Sequence, residues 1–146
     1  MYSNPHAATG LVITTTVYAL TQNEMLAFAI GIPLAIASHY VLDFLFEKHL
    51  SKEEVLIYDV VPSFIYIGLS IISGHFWLMM FSWWSGNLLD LIDKKLYLTV
   101  FFPDRFKPTH YFHNHTNGIR FTLKQTKVAS VVSTLVVIII ALLLKY

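Results

Sequence analysis

Residues 128–144 (VASVVSTLVVIIIALLL) contain no charged residue and no histidine. Wound as a helix, a run of this length nearly crosses a hydrocarbon core of about 30 Å. A helix also satisfies its own backbone hydrogen bonds, which lipid cannot do. Three further runs behave alike: 25–42 (MLAFAIGIPLAIASHYVL), 55–74 (VLIYDVVPSFIYIGLSIISG) and 76–92 (FWLMMFSWWSGNLLDLI). The run 55–74 carries one carboxylate, Asp59, and the run 76–92 carries one, Asp90. Residues 5–20 (PHAATGLVITTTVYAL) are shorter and rich in threonine. The hydroxyls of Thr14, Thr15 and Thr16 can bond back to the helix backbone, so they do not bar a span.

The expected fold is therefore an all-α polytopic membrane bundle of about five transmembrane helices in a single domain, 1–146. The spans fall near 5–20, 25–46, 55–74, 76–92 and 128–144, and a long loop covers 93–126. Composition agrees: 55% of residues are hydrophobic and 13% charged, against roughly 45–50% and 25% in soluble domains. Before the first apolar run there is no Lys or Arg and no small-residue cleavage site, so a secretory signal is not expected.

Local signals place the helix ends. Ser3 or Asn4 followed by Pro5 predicts a helix start. Thr21-Gln22-Asn23 predicts a tight turn, with Asn23 capping the next helix. Ser51-Lys52-Glu53-Glu54 has the capping-box spacing. Pro33 and Pro62 inside spans are expected to bend them. Pro103, Pro108 and Gly118 break the long loop, whose stretch 96–102 suits a membrane interface.

Five spans put the N-terminus, the 47–54 loop and the 93–126 loop on one face. Of the ten Lys and Arg residues, Lys48, Lys52, Lys94, Lys95, Arg105, Lys107, Arg120, Lys124 and Lys127 fall on that face, and Lys145 alone on the other. Cations concentrate on the cytoplasmic side of membrane proteins. The N-terminus and long loop are thus expected in the cytoplasm and the C-terminus outside.

The same threading gathers unusual residues at the cytoplasmic face. His6 begins the first helix. His39 and Asp43, four residues apart, share one face of the second. Asp59 lies on the third, Asp90 and Asp93 near the end of the fourth, and His110, His113 and His115 in the loop. A charge at that depth is costly unless paired, coordinated or hydrated. Bland roles are assigned elsewhere: His75 as a helix contact, His49 as a solvated loop residue, Glu47, Glu53 and Glu54 as interfacial charges. Asp59 can be neutralised by a lysine or histidine, and Asp93 with Lys94 can form a surface pair.

There are no cysteines, which excludes thiolate zinc sites and iron–sulfur clusters. Neutral imidazole with carboxylate is the ordinary ligand set for zinc or a two-metal hydrolytic centre, with manganese, magnesium or iron as other occupants. The candidate metal ligands are His6, His39, Asp43, Asp90, His110, His113 and His115. Asp90 or Asp93 is the candidate base. Lys94, Lys95, Arg105 and Lys107 can hold an anionic headgroup, or can be nothing more than the cytoplasmic charge bias. Gly86 is expected to allow close helix approach.

Four motifs carry a family resemblance: Pro5-His6-Ala7-Ala8-Thr9-Gly10, Ser38-His39-Tyr40-Val41-Leu42-Asp43, Gly86-Asn87-Leu88-Leu89-Asp90 and a late His-x-x-His. Together the chain resembles small bacterial inner-membrane proteins related to the membrane-bound metal-dependent hydrolases. That resemblance implies a metal site on His6, His39, Asp43, Asp90 and His113 or His115. The better-known hydrolases place Ser-His-x-x-x-Asp after the acidic motif, whereas here it comes before. Many also have Pro-His where this chain has Phe46-Glu47.

The expectation is a metal-dependent hydrolase of the bacterial inner membrane, acting at the cytoplasmic interface on a phosphate ester or lipid headgroup. Its partners would be membrane lipids and either further copies of the chain or a larger membrane complex, with no nucleic acid. The alternative is a non-enzymatic small subunit or scaffold whose polar cluster holds a structural metal or a partner. His110-x-x-His113-x-His115 also resembles the histidine boxes of membrane di-iron desaturases, which need more histidines than the seven present.

Overall fold

The computed structural model describes residues 3–43, 51–94, 98–109 and 121–146, and of Ser3 and Lys94 only the backbone. The described residues are helical throughout their long elements. α1 is Ser3–Thr21, α2 Glu24–Asp43, α3 Lys52–Val55, followed without a break by a π turn Leu56–Val60 and α4 Val61–Ile72. Then come α5 Phe76–Lys94, a single turn α6 Leu98–Phe101, and α7 Leu123–Lys145.

Helix ends follow the local signals. At the end of α1, Gln22 takes a left-handed conformation (φ 51°), and its N–H closes on the Tyr18 carbonyl at 2.7 Å. The Asn23 side chain accepts the Leu26 N–H at 3.2 Å, capping α2. Ser51 and Glu54 form a complete capping box. A second box, Thr122 with Gln125, starts α7, so that helix begins well before the uncharged run at 128. α1 begins at Ser3, which puts Asn4 inside the first turn instead of at the cap. Pro5 is still tolerated there, because first-turn N–H groups have no carbonyl to reach.

The threonines of α1 bond inward to their own helix. Thr15 and Thr16 donate to the Leu11 and Val12 carbonyls at 2.7 Å each, and Thr14 to that of Gly10. Three helices, Glu24–Asp43, Lys52–Ile72 and Leu123–Lys145, are long and apolar enough to cross a membrane. α1 and α5 are as long or nearly so, but more polar.

These two polar helices pack on each other, and α1 also packs against α2 and α7. Glycine permits the approach. A Cβ on Gly86 would lie 2.3 Å from the His6 carbonyl oxygen, and one on Gly10 2.6 Å from that of Ser82. Around them, Ala7, Ala8, Leu11, Tyr66, Met79, Val137 and Ala141 form the apolar core. The Tyr66 hydroxyl donates to the Met79 carbonyl at 3.0 Å. Ile30, Leu34, Phe64, Ile71, Leu135 and Ile139 instead point outward and are exposed. Histidine, aspartate and serine lie inside while branched apolar residues cover the outside, the reverse of a water-soluble domain.

The helices alternate in direction. The start of α1 meets the end of α2 through His6 and Asp43, the end of α5 through Asp90, and the start of α7 through Asn4 and Ser130. Glu54 of α3 pairs with Lys127 of α7 at 2.5 Å at the same end. At the opposite end His75 meets Glu24 at 3.3 Å and the Tyr18 ring edge-on.

Candidate metal centre

Three helix termini deliver the polar cluster. His6 comes from the first turn-and-a-half of α1, and His39 and Asp43 from the last two turns of α2, on the inward face with Ala27, Gly31 and Ala35. That face turns inward because Gly31 fits against Thr14, where a Cβ would lie 2.4 Å from the threonine methyl. Asp90 comes from α5, one turn beyond Gly86. His6 is 2% exposed, His39 1%, Asp43 8% and Asp90 0%.

Gly86 serves both histidines. Lacking a side chain, it lets the His6 backbone pass, and its carbonyl lies 2.8 Å from His39 Nδ1. A carbonyl only accepts, so Nδ1 carries the proton and Nε2 of neutral His39 presents a lone pair. That Nε2 faces Asp43 Oδ2 at 3.3 Å. His6 Nε2 lies 3.4 Å from Asp43 Oδ1 and 3.9 Å from Asp90 Oδ2. The two imidazoles stack at 3.9 Å between centroids with 19° between planes.

Acceptor atoms set against one another in a buried pocket need a cation or a proton between them. One ligand atom each from His6, His39 and Asp43 lie within 4.8 Å of one another, so these residues could hold a metal ion. Two ligands bound tetrahedrally to one zinc at about 2.0–2.1 Å lie roughly 3.3–3.4 Å apart. The separations of 3.3 and 3.4 Å are of that order, each imidazole facing a different oxygen of Asp43. His39 also has the carbonyl partner that orients metal-bound imidazoles. His6 Nδ1 is buried and has no hydrogen-bond partner among the described residues.

The other candidate residues divide. Asp93 is buried at the end of α5. Its Oδ1 accepts the Thr109 hydroxyl at 3.2 Å, and its carbonyl accepts the Thr109 N–H at 2.7 Å. Asp93 thus ties the long loop to the site end of the bundle. Asp59 is buried in the π turn and accepts the Asn4 N–H at 2.8 Å. Arg105 is exposed, with its guanidinium over the Phe106 ring at 5.8 Å. His110, His113, His115 and Lys95 lie outside the described residues, as does the Lys94 side chain.

Two polar residues near the site, Asn4 and Asn87, have contacts beyond the helix-start and motif places the sequence gives them. Asn4 joins α1 to α7, and Asn87, 1% exposed, donates to the Trp83 carbonyl at 3.0 Å while its Oδ1 has no hydrogen-bond partner among the described residues. Asparagine carries no charge, so hydropathy alone does not flag it; for Asn87, its place within the apolar run 76–92 was the available signal. Compared with known proteins, the chain matches no family model, no curated protein and no solved structure.

Proposed function

We propose that this chain is a five-span inner-membrane protein that binds a divalent metal, zinc foremost, and hydrolyses a phosphate ester or lipid headgroup at the cytoplasmic interface. The observation carrying this reading is the convergence of two imidazoles and one carboxylate at ligand spacing, with a second carboxylate, Asp90, beside them. His39, His6 and Asp43 are the ligands. A metal on three protein ligands keeps a position for water, supplies Lewis acidity and lowers the pKa of that water.

Asp90 suits the base. Its Oδ2 is 3.9 Å from His6 Nε2, at the rim of the ligand set. Asp93 suits it less, because its carboxylate is engaged by Thr109. Asp43, the most open of the four, marks the side from which a headgroup enters. Arg105 and the lysines of the long loop would attract its phosphate. The four motifs described above supply the kinship with metal-dependent membrane hydrolases, and the cation bias supplies the orientation.

The near-complete burial of His6, His39 and Asp90 favours a second reading, a closed structural metal in a non-enzymatic subunit. One experiment separates the two. Detergent-purified wild type, Asp90→Asn and Asp43→Ala are loaded with zinc, and bound metal, melting temperature and turnover of phosphoesters and phospholipids are measured. The hydrolase reading expects wild-type turnover that Asp90→Asn removes while metal and melting temperature persist. Wild type that keeps its metal without turnover, with Asp43→Ala chiefly lowering the melting temperature, establishes the structural role instead.

A further inference from the structure

A second buried polar cluster lies beside the metal centre, and its arrangement begins with Pro62. Proline has no N–H to return to the carbonyl four residues back, here that of Tyr58. The chain passes this point as the π turn Leu56–Val60, and the Ser130 hydroxyl of α7 donates to the Tyr58 carbonyl. Within the same turn, the Asp59 carboxylate points at the start of α1. First-turn N–H groups of a helix lack internal partners and carry its positive dipole end. The Asn4 N–H meets Asp59 Oδ1 at 2.8 Å. The Asn4 side-chain amide reaches the Ser130 carbonyl at 2.8 Å, the Ser130 hydroxyl at 3.0 Å and the Thr134 hydroxyl at 2.9 Å.

Asn4, Asp59 and Ser130 are all buried. They fasten the first turn of α1 to two other helices, and His6 follows Asn4 by two residues on that turn. Among the described residues His6 Nδ1 also has no acceptor, so the ring is set by its stacking on His39, by the carboxylates at Nε2 and by the placement of its own backbone. We infer that Asp59 is the positioning residue for His6, acting through Asn4 to set the depth and rotation of α1 that bring His6 Nε2 to Asp43. This inference rests on the metal reading of the centre. A carboxylate fits the role because its charge meets the positive dipole end of the helix terminus through the Asn4 N–H.

The test uses Co2+ alone on the full chain in detergent, following the visible absorption bands of bound cobalt and its affinity. Removing a residue that orients a metal ligand typically costs about 10–100-fold in affinity. Asp59→Ala is expected to lose that much and to shift the bands, whereas Asp59→Asn, which keeps an acceptor for the Asn4 N–H, restores both. A general loss of stability would not move the bands of the folded fraction. If Asp59→Ala does not fold, Asp59→Leu, of similar shape but with no acceptor for the Asn4 N–H, carries the same expectation. Wild-type bands and affinity in these variants overturn the inference and leave the metal reading standing. Wild type that takes up no cobalt defeats the metal reading, and the inference with it.

Discussion

His39 Nε2 faces Asp43 Oδ2 at 3.3 Å across one turn of α2, while the opposite nitrogen of His39 is held by the Gly86 carbonyl at 2.8 Å on another helix. The local spacing brings the two residues together, and the interhelical bond decides which lone pair is offered. His6 completes the set from a third helix, 3.4 Å from the same carboxylate.

On the proposed metal reading, removing His39 or Asp43 deletes a ligand, not merely an orienting group. Each alanine variant is expected to weaken zinc affinity by more than about 100-fold, beyond the usual cost of losing an outer partner. Calorimetric titration of detergent-purified protein measures it. Binding within a few fold of wild type in both variants would remove these residues from the ligand set.

Ligating imidazole nitrogens must be unprotonated, so metal uptake is expected to fall as the medium is acidified and protons to be released on binding. Metal content after equilibration at a series of pH values checks this, together with the proton release read in weakly buffered solution. Uptake that is flat from pH 8 to about pH 5 would contradict coordination by two histidines.

Glycine substitutions should differ sharply by site. Gly86→Ala sets a Cβ 2.3 Å from the His6 carbonyl oxygen and 2.8 Å from its carbon, both backbone atoms. Overpacking of this kind costs about 1–3 kcal/mol, and it should weaken metal binding too by displacing α1. Gly68→Ala meets nothing within 4 Å and should be neutral or stabilising by up to about 1 kcal/mol. Melting curves of the two variants in the same detergent compare them directly.

The proposed five-span arrangement predicts a labelling pattern. The chain has no cysteine, so a cysteine placed at Ser3, Lys107 or Tyr146 is the sole thiol. In sealed inverted vesicles an impermeant maleimide should label the first two and spare the third. Labelling of all three from one side would mean an even number of spans.

Much of the local structure was legible in the residues. The Ser51–Glu54 box, the Asn23 cap and the threonines bonded back to their own helix are decided within a few residues, where geometry is nearly independent of the rest of the fold. The Thr122–Gln125 box was equally legible, but Lys124 and Lys127 hid it from a reading guided by hydropathy. The sharing of one face by His39 and Asp43 also follows from helical period alone. Which way that face points does not. It turns inward because Gly31, Gly10 and Gly86 admit neighbouring helices at backbone distance, and a glycine in sequence does not name the partner it admits. The fastening of Asn4 to Asp59 and Ser130 joins residues 55 and 126 positions apart. By itself the sequence determined the apolar helices, their caps and the chemical types available for a site. Only the tertiary structure decided which of those groups meet, because a ligand set is defined by distances of a few ångströms between helices whose contacts local propensity does not encode.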